Sequence, residues 1–282
     1  VKITVRSARR KVTVQVDVER RPSRQPLKFG NGNAKLNPAV FTFSLPAGYS
    51  CPFARNCQAR ADRRTGRVKD GPNTAFRCYA ASMEARHSSV RDARWHNFQL
   101  LRGLPKEGMT QLILDSLTPF AGFVRVHDSG DFFSRDYFDA WLEVARQRHR
   151  TVFYFYTKSL RYWVGRLGEV GDGHTPGSIP NVVPTASLGG LHDNLIAAHG
   201  LRSARVVYSE AEAEALGLEI DHDDSHAMRH GGDFALLIHG TQPTGTAAAK
   251  AVAALRAQGD FGYGERADVI RRLSLRTSGG NR

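Results

Sequence analysis

Three cysteines are all that the chain has, and they lie close together in it: Cys51, Cys57 and Cys78. Their spacing is C-x5-C followed by C-x20-C. A structural zinc site normally shows close C-x2-4-C pairs and four ligands. No close pair exists here, although His87, nine residues past Cys78, would complete a three-cysteine, one-histidine set. Three thiolates with no evident fourth ligand also suit an iron–sulfur cluster, which would leave one iron open to a cofactor or substrate. The plain alternative is three unrelated buried cysteines acting as small hydrophobes. Ligand number and spacing favour a 4Fe–4S cluster on Cys51, Cys57 and Cys78, with zinc as the alternative metal.

A second group of reactive residues follows a series of short apolar runs. "HDSGDFFS" follows "GFVRV", "TKS" follows "TVFYFY", "ASLGG" follows "NVVPT", and the run "DFALLI" leads into "HGTQP". With "SE" after "ARVVY", five apolar runs in succession end in small polar or ionisable residues. The candidate catalytic residues are His127, Asp128, Asp131 and Lys158. Ser129, Gly130, Asp131, Thr157 and Ser187 are candidates for holding a cofactor. His239 and Gln242, with Asn33 and Lys35 of "GNGNAK", are the substrate-contact candidates. Any one of these could instead be a cap or turn residue, and Ser134 reads as a helix cap. A third group, His222, His226 and His230 in "HDDSHAMRH", has i, i+4, i+8 spacing, which on a helix would share a face. The neighbouring Asp223-Asp224 and Gly231-Gly232 favour a loop instead.

These residues need a scaffold that brings them together, and the pattern after residue 120 supplies one. Strand-like runs at 122–127, 151–156, 181–187, 204–209 and 233–240 alternate with helical stretches at 134–149, 209–217 and 246–259. In the first of these helices Phe138, Trp141, Leu142 and Ala145 form the apolar stripe. Strand–helix alternation implies a parallel sheet with right-handed crossovers, and in such sheets sites form at the carboxyl ends of the strands. The expected fold is α/β: a partial (β/α) barrel of about six parallel strands with an N-terminal β-hairpin extension. Residues 1–43 would form the basic extension. Residues 44–282 would form one barrel-like domain carrying the cysteine loop at 51–78. "VFTFSLPAG" reads as a strand and turn, residues 20–38 as loop, and residues 61–76 as an excursion with turns at Thr65-Gly66 and Asp70-Gly71-Pro72. One helix is expected between Cys78 and Leu101, with a stripe of Val90, Ala93, Asn97, Phe98 and Leu101. "MTQLILDSL" would be a second.

The formal net charge is +13, and it is unevenly spread. Residues 1–35 hold ten Lys or Arg against two acids, and residues 51–102 hold eleven against four. The remaining chain is slightly acidic, so the excess positive charge gathers around the cysteines. Such a surface attracts polyanions, and nucleic acid or another phosphate-rich substrate is the expected partner. No apolar run approaches the 18 residues of a membrane span. The start lacks an apolar signal core and the cysteine number is odd, so a reducing cytoplasm is the expected location.

Two resemblances bear on these residues. Three cysteines after one strand and "HDSGDFF" after the next resemble the radical S-adenosylmethionine (SAM) enzymes. Those enzymes carry three cluster cysteines after the first barrel strand and a Gly-Gly-Glu motif, which holds the cofactor's amino group, after the second. Ser129-Gly130-Asp131 stands where Gly-Gly-Glu would be, although the usual C-x3-C-x2-C spacing is absent. The resemblance implies a partial barrel, a 4Fe–4S cluster and SAM. "LKFGNGNAKL", "TFSLPAGYSCPFARNC", "CYA", "VRVHDSGDFFSRDYFDAW" and "FYFYTKS", together with "DHDDSHA" and "GGDFALLIHGTQP", resemble the phage gene product 88 family. That resemblance implies a phage or mobile-element context and no particular reaction. The expected function is an iron–sulfur, radical-SAM-like enzyme acting on nucleic acid or a nucleotide. One alternative is a metal-stapled nucleic-acid-binding protein without catalysis. Another is a base-exchanging barrel similar to the tRNA-guanine transglycosylases, with Asp128 catalytic and the zinc structural.

Overall fold

The alternating runs become strands and helices in the expected order. A computed structural model describes residues 2–7, 10–15, 25–32, 36–170 and 177–259. β1 (Lys2–Ser7) and β2 (Arg10–Gln15) pair as the antiparallel hairpin foreseen at the N-terminus. β3 (Phe29–Asn31) and β4 (Val40–Ser44) follow, then β5 (Ala59–Ala61) and β6 (Val68–Asp70). Three helices come next: α1 (Tyr79–Arg86), α2 (Ser88–Leu101) and α3 (Lys106–Ser116). The strand–helix series is β7 (Phe123–Ser129), α4 (Arg135–Gln147), β8 (Val152–Thr157), α5 (Leu160–Val164), β9 (Val182–Ser187), α6 (Asn194–His199), β10 (Ser203–Val207), α7 (Glu210–Ala215), β11 (Phe234–Leu237) and α8 (Ala247–Ala257).

One sheet carries the fold, in the order β11-β10-β9-β8-β7-β4-β3. The six strands β4, β7, β8, β9, β10 and β11 run parallel in the order of the chain, and β3 joins β4 antiparallel at one edge. The order never reverses, so the sheet is singly wound. Its end strands β3 and β11 do not pair, so no barrel closes. The expected boundary at residue 43 falls inside β4, which is a member of this sheet.

Alternation sorts the side chains onto two faces. Phe43, Val124, Val126, Phe153, Phe155 and Val182 face α2, α3 and α4 in the main core. Val40, Tyr154, Val183 and Phe234 face the other way, where Ala227 packs on them. α4 begins where expected: the Ser134 hydroxyl accepts from Tyr137 N at 3.2 Å, and Phe138, Trp141, Leu142 and Ala145 are buried. That cap contributes about 1 kcal/mol.

Three local differences from expectation have physical causes. The single helix expected after Cys78 is broken at His87, whose backbone is extended (φ −124°, ψ 104°). Arg91 donates from one guanidinium nitrogen to the Glu84 carbonyl and from Nε to the Arg63 carbonyl, fastening the corner between α1 and α2. Of the expected stripe Asn97 and Leu101 are buried, but Arg91 and Arg94 share that buried face while Val90, Ala93 and Phe98 are only half-buried. These polar side chains answer buried backbone: Asn97 donates to Lys28 O and Ser44 O and accepts from Lys28 N. The excursion after Cys57 is a β-hairpin whose turn is tied by Asp62, which accepts from Arg64 N and Thr65 N. β3, α5 and α6, with three, five and six residues, were too short to show a period.

Candidate functional site

The cysteine segment leaves the end of β4 and lies over the carboxyl ends of other strands. Leu45 N donates to Ser129 O at 2.8 Å, carrying the pairing with β7 past a bulge. Ala54 bridges to Gly190 beyond β9, Arg55 N and Asn56 N donate to Gly189 O, and Leu191 N donates to Phe53 O. The Asp193 carboxylate holds that loop by accepting from Gly189 N and Gly190 N at 2.8 and 2.9 Å. Gly189 has φ +95°, and a Cβ there would stand 2.9 Å from Asn56 Cβ, so the close approach requires glycine. At the Cys78 end, Gln242 beyond β11 accepts from Arg77 N at 2.7 Å and donates to Arg77 O and His239 O. The His239 ring lies 4.8 Å from that of Tyr79. His239 and Gln242 therefore anchor the chain beside Cys78.

All three cysteines are free thiols. Cys51 Sγ accepts from Gly48 N at 3.3 Å. Its thiol is pushed well above the ordinary range, by burial first and then by the nearby Asp131, Cys78 and Cys57. Burial and Cys57 push the Cys78 thiol up to about 11, against the lowering effect of the Ala80 and Ala81 N–H groups and of Arg94. The folding chain thus brings Cys51, Cys57 and Cys78 within electrostatic reach of one another, and Asp131 within reach of Cys51. Among the described residues no group of three or more His, Cys, Asp or Glu stands ready-arranged around a single metal position. The donors nevertheless fit an iron–sulfur cluster in kind: three soft thiols, backbone N–H groups directed at sulfur, and an arginine beside them. His87 is exposed at the far end of α1 from Cys78. An eight-residue helix is about 12 Å long, so His87 is not gathered with the thiols.

The next two strand ends face this segment. Gly130 has φ +90°, and a Cβ there would stand 2.6 Å from Ser50 Oγ. Buried Asp131 accepts from Phe132 N, Thr157 Oγ1 and Lys158 N at 2.7, 2.6 and 2.8 Å, with burial raising its carboxyl above the usual range. Lys158 Nζ donates to Ser187 Oγ at 2.5 Å, linking the ends of β8 and β9. Ser129 Oγ donates to Leu45 O. Asp128 accepts from the Tyr79 hydroxyl at 3.0 Å and lies 3.7 Å from Arg125 and 3.9 Å from Arg94. Asp128, Ser129, Gly130, Asp131, Thr157, Lys158 and Ser187 thus form one polar layer at the strand ends.

His127 belongs elsewhere. Phe43 pairs with Val126 and Ser44 with Ser129, so His127 and Asp128 bulge from β7, and His127 adopts φ 74°. Bulges re-aim side chains. This one turns His127 into the aromatic core, 4.6 Å from the Phe132 ring, with Nε2 3.0 Å from the Tyr137 hydroxyl. Burial lowers its pKa to about 3, so it is neutral. Asn33 and Lys35 lie outside the described residues.

Two buried charge networks had only weak sequence signals. Glu84 Oε1 accepts from Ala47 N and Arg94 at 2.8 and 2.9 Å, locking α1 and α2 to the cysteine segment. On the inner face of the sheet, Asp224 accepts from Arg125 at 2.8 Å and from the hydroxyls of Tyr154 and Tyr156 at 3.2 and 3.3 Å. The Arg inside apolar "FVRV" was the available signal, since a buried cation needs a partner.

The "HDDSHAMRH" segment forms turns, as the acid and glycine neighbours favoured. Asp221 accepts from Asp223 N and Ala227 N. His226 pairs with Glu219 at 2.9 Å.

The family model described as "Gene product 88" matches residues 18–257. The "Gene 88 protein" of Mycobacterium phage D29 is 29% identical over 164 residues, covering 54% of this chain and 57% of the relative. The "Gene 88 protein" of Mycobacterium phage L5 is similar to the same extent. The chain thus spans little more than half the length of these relatives. No solved structure matches it. Among the described residues no helix is long and apolar enough to cross a membrane.

Proposed function

This chain belongs to the Gene product 88 family, and from that premise we propose that it is an iron–sulfur protein with radical-SAM-like chemistry, acting on nucleic acid or a nucleotide. One observation carries the reading: Cys51, Cys57 and Cys78, in loops of the sequence, come within electrostatic reach of one another beside Asp131 at the end of β7.

Cys51, Cys57 and Cys78 would hold the cluster. When bound, it would supply an open iron at which SAM can be cleaved by one electron from an external reductant. The chain's own residues would do the remaining work. Asp131 fixes the loop after β7 by accepting from Thr157 and from two amides. That loop, Ser129-Gly130-Asp131, follows the second parallel strand and is the candidate seat for the cofactor's amino end. The Lys158 ammonium, shared with Ser187, would bind an anionic group of cofactor or substrate. Asp128, held by Tyr79 and flanked by Arg94 and Arg125, would accept a hydrogen bond from the substrate. Burial keeps the metal-free Cys51 and Cys78 thiols protonated, so metal uptake would release protons and strengthen with pH.

The test is reconstitution without oxygen using iron and sulfide, then incubation with SAM and dithionite. Brown protein that yields 5′-deoxyadenosine is expected. Brown protein inert to SAM would leave the cluster as a structural staple for a binding protein. Protein that stays colourless and retains no iron would end the proposal. Release of guanine from a polynucleotide without SAM would favour the base-exchange alternative.

A further inference from the structure

The β5–β6 hairpin packs Ala59 against Ala80 and Ala81 of α1, and its Ala61 is buried as well. Its other side turns Arg60, Arg63, Arg64, Arg67 and Lys69 to solvent. The hairpin's two acids are already engaged. Asp62 closes the turn, and Asp70 holds both Nε and a terminal nitrogen of Arg77. Beside the hairpin three aromatic rings stand in line, with Tyr49 4.9 Å from Trp95 and Trp95 5.9 Å from Phe98. A guanidinium lies over each ring: Arg60 over Tyr49 at 5.2 Å, Arg63 over Trp95 at 5.0 Å and Arg102 over Phe98 at 5.8 Å. Tyr49 is 37% exposed.

We propose that this surface binds single-stranded nucleic acid: Arg60 and Arg63 leave the Tyr49 and Trp95 rings to take phosphates, and bases stack on the rings so uncovered. Phosphates alone would need only the charge. The row of rings adds flat apolar faces, and unpaired bases have the matching faces exposed while a duplex keeps them stacked inside. An acidic protein would satisfy the arginines and leave the rings unused. The inference deepens the proposed function by naming the form of its substrate, and rests on that reading only for the link to chemistry; the surface needs no cluster.

The test is fluorescence anisotropy with labelled single-stranded DNA and RNA oligonucleotides of mixed sequence, a matching duplex, and polyglutamate. It is run on metal-free and reconstituted protein. Single strands should bind more tightly than duplex, with affinity falling linearly in log salt. Tyr49→Ala should weaken single-strand binding by about tenfold or more, the size expected for one lost stacking contact. Binding should also quench tryptophan fluorescence through Trp95, because Trp141 and Trp163 are each only 3% exposed in the core; Trp95→Phe should remove the quench. If Tyr49→Ala misfolds by circular dichroism, the double variant Arg60→Glu, Arg63→Glu, altered at exposed side chains, should abolish binding with an unchanged melting curve. Equal affinity for duplex, preference for polyglutamate, no binding at low salt, or insensitivity to these variants would overturn the proposal. Binding that persists without iron would leave it standing even if the cluster reading fails. Active brown protein that ignores single strands would sink only the surface.

Discussion

Two segments of this protein offered possible metal ligands, and they are built in opposite ways. The three histidines at 222, 226 and 230 have the more regular spacing, yet their segment is a series of turns. His226 is engaged by Glu219, and Arg202 holds the strand of chain around it by donating to His226 O, Arg229 O and Gly232 O. The residue that does most there is Asp224, fully buried and in a left-handed conformation (φ 65°). The cysteines have poor spacing, yet three sets of loop contacts draw them together. Regular spacing creates a site only on a regular element. Across loops, it is the docking contacts that decide which groups meet.

The sharpest test of this contrast is iron retention after anaerobic reconstitution. Cys51→Ser, Cys57→Ser or Cys78→Ser should each abolish the retained cluster. The triple variant His222→Ala, His226→Ala, His230→Ala should retain it in full; loss of iron from that protein would reverse the assignment of the two segments.

The second largest effect should fall on stability. Asp224→Ala removes the nearer counter-charge of buried Arg125, leaving only Asp128 at 3.7 Å, and also forces alanine into a left-handed backbone. It should cost about 3–5 kcal/mol in urea unfolding. Asp224→Asn keeps that backbone accessible and two of the three contacts as hydrogen bonds, so it should cost less. A cost under about 1 kcal/mol for alanine would show that the segment does not plug the inner face as the contacts imply.

A third test uses the β7 bulge, which sends Asp128 toward the cysteine segment and His127 toward the helices. His127 is held neutral with a pKa of about 3, against an ordinary value of about 6.5. Between those values the unfolded chain binds a proton that the folded chain does not. Stability should therefore fall as pH drops through this window, by roughly 1.4 kcal/mol per unit from this group. His127→Asn, which tolerates the positive φ, should flatten that slope in pH-dependent unfolding; an unchanged slope would assign the acid sensitivity to other groups.

The smallest effect is a control remote from both segments. Ser134→Ala removes the α4 cap and should cost about 1 kcal/mol with iron retention untouched. A loss of iron there would mean that the cysteine segment depends on global stability rather than on its own docking contacts.

Much of the scaffold was legible because its signals are local. β8 is an uninterrupted run of β-branched and aromatic residues, and α4 carries its cap and stripe within 16 residues of sequence, 134–149. The polar strand ends were legible for the same reason, since each follows its strand directly. The bulge was not. Whether His127 points to the site or to the core depends on how β7 pairs with β4, some 80 residues earlier, and its sequence neighbours carry no trace of that register. α2 misled because a buried face reads as apolar only when its partners are apolar. Here Arg91, Arg94 and Asn97 are buried against backbone carbonyls and Glu84.

By itself the sequence determined the succession of parallel strands and helices, the layer of ionisable groups at the strand ends, and the family to which the chain belongs. Each of these is written in short-range periodicity or in contiguous motifs. Only the tertiary structure decided that the sheet stays open, that Asp224 pairs with Arg125 on the face away from the main core, and that Cys51, Cys57 and Cys78 come within reach of one another, with Asp131 near Cys51. Those outcomes depend on long-range pairing, and buried charges accept only the partners that the folded chain brings to them.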